Sequence, residues 1–168
     1  MVLRKTQEVH KKNMSRGAKI RKKPIETDPI YKSRVVTRVI NKVMLHGKKG
    51  LARSIVYDVI ENLHTEENDG VKLFEDAIRN IMPKVEVRSR RVGGSNYQIP
   101  VPLKHDRSEA LAIRWLVEAA RSKKGMDMNT ALLKEIKAAL NNEGDAIRKK
   151  ETVKKMADAN KAFAHFKW

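Results

Sequence analysis

The sequence predicts a mainly α fold: a single domain of about six helices with a protruding two-stranded β-hairpin and a basic, disordered N-terminal arm. Three observations lead there. Apolar side chains recur at helical spacing in six stretches. That period gives way once, around Gly93-Gly94, to strict alternation. Residues 1–24 show neither period and carry nine basic side chains against one acid, Glu8.

Each element has a local reason. Asp28-Pro29 reads as a helix start, an N-cap oxygen followed by proline at the first helical position. Val35, Val36, Val39, Ile40, Val43 and Met44 follow on one face, and Gly47 ends the run. Arg34, Arg38 and Lys42, spaced by four, share a face away from that stripe. A second helix carries Leu51, Ile55, Val56, Val59, Ile60 and Leu63 and is broken at Asp69-Gly70. A third holds Phe74, Ala77, Ile78 and Ile81, and Pro83 stops it. Residues 85–92 and 96–102 then alternate about the two glycines, the signature of a hairpin whose turn needs positive φ. Val85 and Val87 point one way, Arg88 and Arg90 the other. Tyr97, Ile99 and Val101 share a face. Pro100 and Pro102 fit because both strands of a lone ribbon are edges. Such a ribbon is marginal in water, so its root must lean on the helices.

Ser108 is the expected N-cap of the fourth helix, whose stripe is Leu111, Ala112, Trp115, Leu116 and Ala119. Arg107, Arg114 and Arg121, seven apart, lie on another face. The fifth carries Ala131, Leu132, Ile136, Ala139 and Leu140. The sixth starts at Asp145 and carries Val153, Met156, Ala157, Phe163 and Ala164, with Lys149, Lys150, Lys154 and Lys161 outside. The division is thus 1–27, a basic arm disordered when free, and 28–168, a helical body with its ribbon at about 84–103.

The 168 residues include 37 Lys+Arg and 20 Asp+Glu, a formal net charge of +17. The arm alone supplies +8. A surplus this large calls for an anionic partner. Nucleic acid leads, and an acidic membrane surface is the runner-up. For the arm, a transit peptide or a solvated tail are the alternatives; one serine, Ser15, and many lysines argue against a transit peptide. Cysteine is absent, which excludes disulfides, thiolate metal sites and thiol nucleophiles. No apolar run reaches the ~18 residues of a membrane span.

No catalytic constellation emerges. His10, His46, His64, His105 and His165 have no partner at metal-ligand spacing, so no metal and no cofactor is expected. Gly47-Lys48-Lys49-Gly50 lacks the spacing of a phosphate loop and joins two helices. Gly93-Gly94 precedes a strand rather than a helix.

Binding features are better supported. Arm, hairpin and helix faces are basic together, which points to phosphate contacts from several directions. Arginine suits the hairpin, since its planar fork grips phosphate bidentately. Tyr97 is a candidate for stacking on an unpaired base, with packing at the hairpin root the equal alternative. The eight aromatic residues are scattered, which favours shape-and-phosphate recognition over a single-strand stacking platform. An architectural DNA-binding protein and an RNA-processing enzyme are the competing classes.

Four blocks carry a resemblance. They are Val39-Ile40 with Gly47-Lys48-Lys49 and Ile55-Val56-Tyr57; residues 85–95, VEVRSRRVGGS; residues 112–120, AIRWLVEAA; and residues 156–165, MADANKAFAH. In order and together, these resemble the small-subunit ribosomal protein S-seven family, in its bacterial and organellar branch. The resemblance implies a helical body with a β-ribbon. It implies direct binding to the 3′ major domain of 16S-type rRNA and nucleation of head assembly. It also implies a place at the subunit interface near the exit (E) site tRNA and the mRNA path, beside head and platform proteins. Neither an enzymatic activity nor a homo-oligomer is expected. The compartment is a cytoplasmic or organellar ribosome. Carried over by position, Arg34, Arg38, Lys48, Lys49, Arg107, Arg114 and Arg121 become rRNA-contact candidates. The arm's Arg4, Lys5, Lys11, Lys12, Arg16, Lys19, Arg21, Lys22 and Lys23 join them through charge alone. Arg88, Arg90, Arg91, Gly93, Gly94 and Tyr97 become the ribbon candidates near tRNA and mRNA.

Overall fold

The computed structural model describes residues 24–65 and 69–166. Its elements are α1 (Arg34–Val43), α2 (Lys49–Glu61), α3 (Gly70–Ile81), β1 (Val85–Val92), β2 (Ser95–Pro102), α4 (His105–Ser122), α5 (Met128–Leu140) and α6 (Asp145–Ala159). A 3-10 turn, Lys161–Phe166, follows α6. The six expected helices and the hairpin are therefore present. The arm's basic residues, Arg4 to Lys23, lie outside the described residues.

Helix α1 begins a turn later than Asp28-Pro29 suggests. The Asp28 carboxylate accepts the N–H groups of Ile30 at 3.1 Å and Tyr31 at 3.2 Å. It also accepts the Tyr57 hydroxyl at 2.8 Å. Its capping oxygens thus hold a turn and tie that turn to α2. Lys32 takes a left-handed φ of 51°, which interrupts the helical path. Ser33 becomes the N-cap instead, its side chain accepting from the Val36 N–H. Val36, Val39, Ile40 and Val43 are buried as the 3.6 period requires.

The Asp28–Tyr57 bond is testable. Burial and then the Asp28 carboxylate push the Tyr57 hydroxyl up to about 12, with Arg53 opposing. A raised value means that the folded state resists ionisation. The contribution is complete below pH 10.0, the ordinary tyrosine value, and is lost as pH rises through about 12. Tyr57→Phe is expected to lower stability by about 1.5–3 kcal/mol at neutral pH, the range for a hydrogen bond to a charged group. Its deficit relative to the parent chain should shrink above pH 10 in urea melts, and a constant deficit would contradict the assignment.

In α2 the buried stripe is Ala52, Val56, Val59 and Ile60. Leu51, expected in the core, is 61% exposed. The stripe starts one residue later, so Leu51 turns outward. Helix α2 ends at Glu61, and Asp69 serves as the N-cap of α3 rather than as a breaker, accepting the Val71 N–H at 3.1 Å. Gly70 is required there by space. A Cβ would fall inside contact distance of the Ile60 carbonyl oxygen and 3.1 Å from the His64 nitrogen. Both obstacles are backbone and cannot swing aside. Gly70→Ala is expected to cost about 1–3 kcal/mol, as overpacking does, read as a lower urea midpoint with unchanged slope.

Helices α4 and α5 form the middle of the bundle. Helix α5 packs on α2, α3, α4 and α6; α4 packs on α1, α3, α5 and α6. Phe74, Ile78, Ile81, Leu116, Leu132 and Ile136 fill the space between them, each 2% exposed or less. Ser108 lies inside the first turn of α4 and is not its cap. Its hydroxyl donates to the Pro83 carbonyl at 2.6 Å, so the helix starts earlier, at His105. Met156, expected in the α6 stripe, is 40% exposed; Ala146, Ile147 and Ala157 are the residues that α6 buries.

Candidate nucleic-acid interface

The strands pair antiparallel, from Val85 opposite Pro102 to Val92 opposite Ser95. The two-residue turn has φ of 57° at Gly93 and 90° at Gly94, both left-handed, as a primed hairpin turn demands. The register places Arg88 opposite Ile99 and Arg90 opposite Tyr97. These four therefore share one face, on which Ile99 is buried. Helix α6 packs on β1, and the C-terminal 3-10 turn packs on β2. The Tyr97 ring lies 5.1 Å from that of Phe163 in the 3-10 turn. Tyr97 thus packs on the C-terminal turn, toward the tip rather than at the root of the hairpin, and stays partly exposed. Arg88, Arg90, Arg91, Gly93 and Gly94 are exposed.

Glu86 fixes the ribbon root. It is 8% exposed. One oxygen accepts Arg88 Nε at 2.5 Å, and the other accepts Arg107 Nε at 3.2 Å. Arg107 stands on α4, so this carboxylate pins strand β1 to the body.

Beside the root lies a cleft of about 610 Å³, lined by Pro24, Ile25, Arg34, Arg38, Lys104, Asp106, Arg107 and Ala110. Four cations face one acid there. Part of the charge is spent internally. Arg38 Nη1 sits 2.7 Å from Glu109 Oε2, with side chains only 15% and 6% exposed. Arg34 reaches Asp106 at 3.0 Å. Arg38 is thus largely a structural clamp between α1 and α4 and not an outward face residue as the spacing implied. His105, Asp106 and Glu109 bring their ligand atoms within 4.8 Å of one another. Two guanidiniums already hold the carboxylates of this group, so it works as an ion-pair network. Arg34, Lys104 and Arg107 keep the outward part of the cleft positive.

The remaining candidates fall elsewhere. Arg114 is exposed and makes no ion pair among the described residues. It lies one turn beyond Ala110 on α4, in line with the cleft. Arg121 donates to the carbonyls of Lys42 at 3.4 Å and Val43 at 3.2 Å, completing the C-terminal end of α1. Lys48 and Lys49 are exposed at the start of α2, beside a separate apolar groove.

Sequence reasoning missed Lys150. It donates to the Asn80 carbonyl at 2.5 Å. Its pKa is lowered first by burial, then by Lys154 and Lys84, with Glu151 opposing. Burial is the largest of these effects, and the charges of Lys154 and Lys84 act in the same direction. Helical spacing had put Lys150 on a solvated face, and its lodging against α3 is a tertiary fact.

The model of the family described as ribosomal protein S7p/S5e matches residues 15–161, from within the basic arm to the start of the 3-10 turn. The chain belongs to the ribosomal protein S7p/S5e family. "Small ribosomal subunit protein uS7" of Streptococcus thermophilus is 51% identical over 156 residues, which is 92% of this chain and all of that protein. The proteins of the same name from Streptococcus uberis and Streptococcus agalactiae are 49% identical over the same shares. The S7p/S5e match confirms the resemblance carried by the four sequence blocks. It also extends into residues 15–27, which those blocks did not reach.

Proposed function

We propose that this S7p/S5e protein is a structural component of the small ribosomal subunit and binds its rRNA directly. The observation that carries the reading is the 51% identity along the whole length of a small-subunit protein. Charge and shape support it. The cleft cations Arg34, Lys104 and Arg107, the α4 residue Arg114 and the lysine group at the ribbon root are set to neutralise phosphates from different directions. With the net charge of +17, such contacts hold a folded RNA better than a flat surface would.

The finer reading follows from the family. The RNA is the 3′ major domain of 16S-type rRNA, and binding nucleates the subunit head. The ribbon, with Arg88, Arg90 and Arg91 exposed around the Gly93-Gly94 tip, extends toward the E-site tRNA and the mRNA path. The arm, residues 1–27, adds rRNA contacts through its charge. Neighbouring head and platform proteins adjoin the body. The protein is ribosome-bound, and no helix among the described residues is long and apolar enough to cross a membrane.

Competition tests this reading. A labelled 3′-major-domain rRNA fragment bound to the full chain should resist a large excess of duplex DNA at physiological salt. Equal competition by DNA would replace the reading with non-specific polyanion binding.

A further inference from the structure

Upstream of Asp28 the chain lies against the cationic cleft, where Pro24 and Ile25 line the wall beside Arg34, Lys104 and Arg107. Only Glu26 and Thr27 separate Ile25 from Asp28, a reach of at most about 11 Å. The direction in which the chain meets the cleft is therefore set at Asp28, which is 3% exposed. The turn that Asp28 opens is closed by its own backbone. The Asp28 N–H donates to the Ser33 carbonyl at 3.2 Å, and the Lys32 N–H to the Asp28 carbonyl at 2.9 Å. The Ser33 hydroxyl donates to Glu75 of α3 at 2.6 Å. The turn thus holds its shape without Tyr57. What Tyr57 adds is a second fixed point, on α2. Its hydroxyl donates to the Asp28 carboxylate at 2.8 Å, and the Tyr31 ring stands edge-on to its ring at 5.1 Å. Two points on two helices remove the rotation that one would allow. Lys32 at φ 51° fits this picture, since a strained non-glycine residue persists where its surroundings over-determine the backbone.

We infer that Tyr57 is a positioning residue for RNA binding: by holding the Asp28 carboxylate it fixes the line along which the basic arm leaves the cleft, so that arm and cleft cations engage one RNA together. The inference rests on the proposed rRNA contacts of arm and cleft, and it names the side chain that couples them. Tyr57 acts through Asp28 rather than on the RNA, because its hydroxyl is spent on that carboxylate. The gain comes from tethering. Once the cleft cations hold a phosphate, the nine basic side chains of the arm bind at an effective concentration set by the connecting chain. A connection free to rotate spreads that concentration over directions that lead away from the RNA.

The test compares the full chain with a full-length variant whose nine basic arm residues are replaced by glutamine, each with and without Tyr57→Phe. Binding of the labelled 3′-major-domain rRNA fragment is measured at physiological salt. Neutralising the arm should weaken binding by about 100-fold. Tyr57→Phe should weaken it by about tenfold in the full chain and by less than about twofold when the arm is neutral. Asp28→Asn keeps an acceptor for the hydroxyl, so its loss should be smaller and should also vanish with the neutral arm. Leu132→Ala truncates a fully buried core residue of α5 and costs the fold as much or more, yet it should change affinity by less than about twofold. An equal loss for Tyr57→Phe with the arm neutral, or a tenfold loss for Leu132→Ala, means that Tyr57 acts through stability alone and overturns the inference. Unchanged affinity for Tyr57→Phe, with arm neutralisation still costly, overturns it as well and leaves the rRNA reading standing. If neutralising the arm changes nothing, the arm's rRNA contact fails and the inference fails with it.

Discussion

Lys123→Ala is expected to lower the stability of the body by about 3–5 kcal/mol, the usual cost of stranding one member of a buried ion pair. Lys123 lies 2.5 Å from Glu135, whose side chain is fully buried in the middle of α5. The other Glu135 oxygen accepts the Ala146 N–H at 2.9 Å, in the first turn of α6. The N-cap of α6 is Gly144, which has no side chain to offer, so Glu135 takes the capping role from a neighbouring helix. Removing Lys123 leaves the carboxylate with one hydrogen bond and no counter-charge. For a domain whose total stability is of order 5–15 kcal/mol, that is a large fraction. Urea unfolding measures the effect directly. Lys123→Met combined with Glu135→Leu should recover part of the loss, because the stranded charge is gone, while the Ala146 N–H still lacks its cap at a cost of about 1 kcal/mol. A loss below about 1 kcal/mol in the single variant would mean that the pair contributes no more than a surface one.

Joint replacement of Arg34, Lys104 and Arg107 by alanine should weaken binding of the rRNA fragment on the order of 100-fold at physiological salt. The salt dependence should flatten as well, by about 0.7–0.9 for each phosphate that is no longer neutralised, or roughly 2 units of slope for the three. The body should remain folded, since all three side chains are at its surface. Arg107 also holds Glu86. A single Arg107→Ala variant therefore reports how much of the effect comes from a loosened ribbon root. Lys134→Ala with Lys137→Ala, lysines of α5 outside the cleft, should leave both affinity and slope nearly unchanged. A flattened slope in that control, matching the cleft variant, would show that only total charge matters.

The architecture was legible because each helix declares its face within its own residues. Val36, Val39, Ile40 and Val43, or Phe74, Ala77, Ile78 and Ile81, mark a buried stripe without reference to any other element. The Gly93-Gly94 turn was legible for the same reason, since two residues must take positive φ between alternating strands. What stayed hidden depends on residues far apart in the chain. Glu135 occupies an α5 core position that looks apolar by spacing, and only Lys123 and the start of α6 explain its burial. Arg38 reads as an outward arginine until Glu109 of α4 is placed beside it. Asp28 has the signature of a helix cap, and the competing hydroxyl of Tyr57 diverts it to a turn. Ser108 is likewise claimed by the Pro83 carbonyl. For the interface, basic composition located the cations. It did not show that Glu86, Asp106 and Glu109 consume part of that charge, which leaves Lys104 and the lysines at the ribbon root more prominent than helical spacing suggested.

A density map of small subunits assembled with this chain tests the central claim most directly. Backbone phosphates of the rRNA should lie within ion-pair distance of Lys104 and Arg107, and the Gly93-Gly94 tip should project away from the body. A cleft left open to solvent, with no phosphate nearer than about 8 Å, a Debye length at physiological salt, would contradict it.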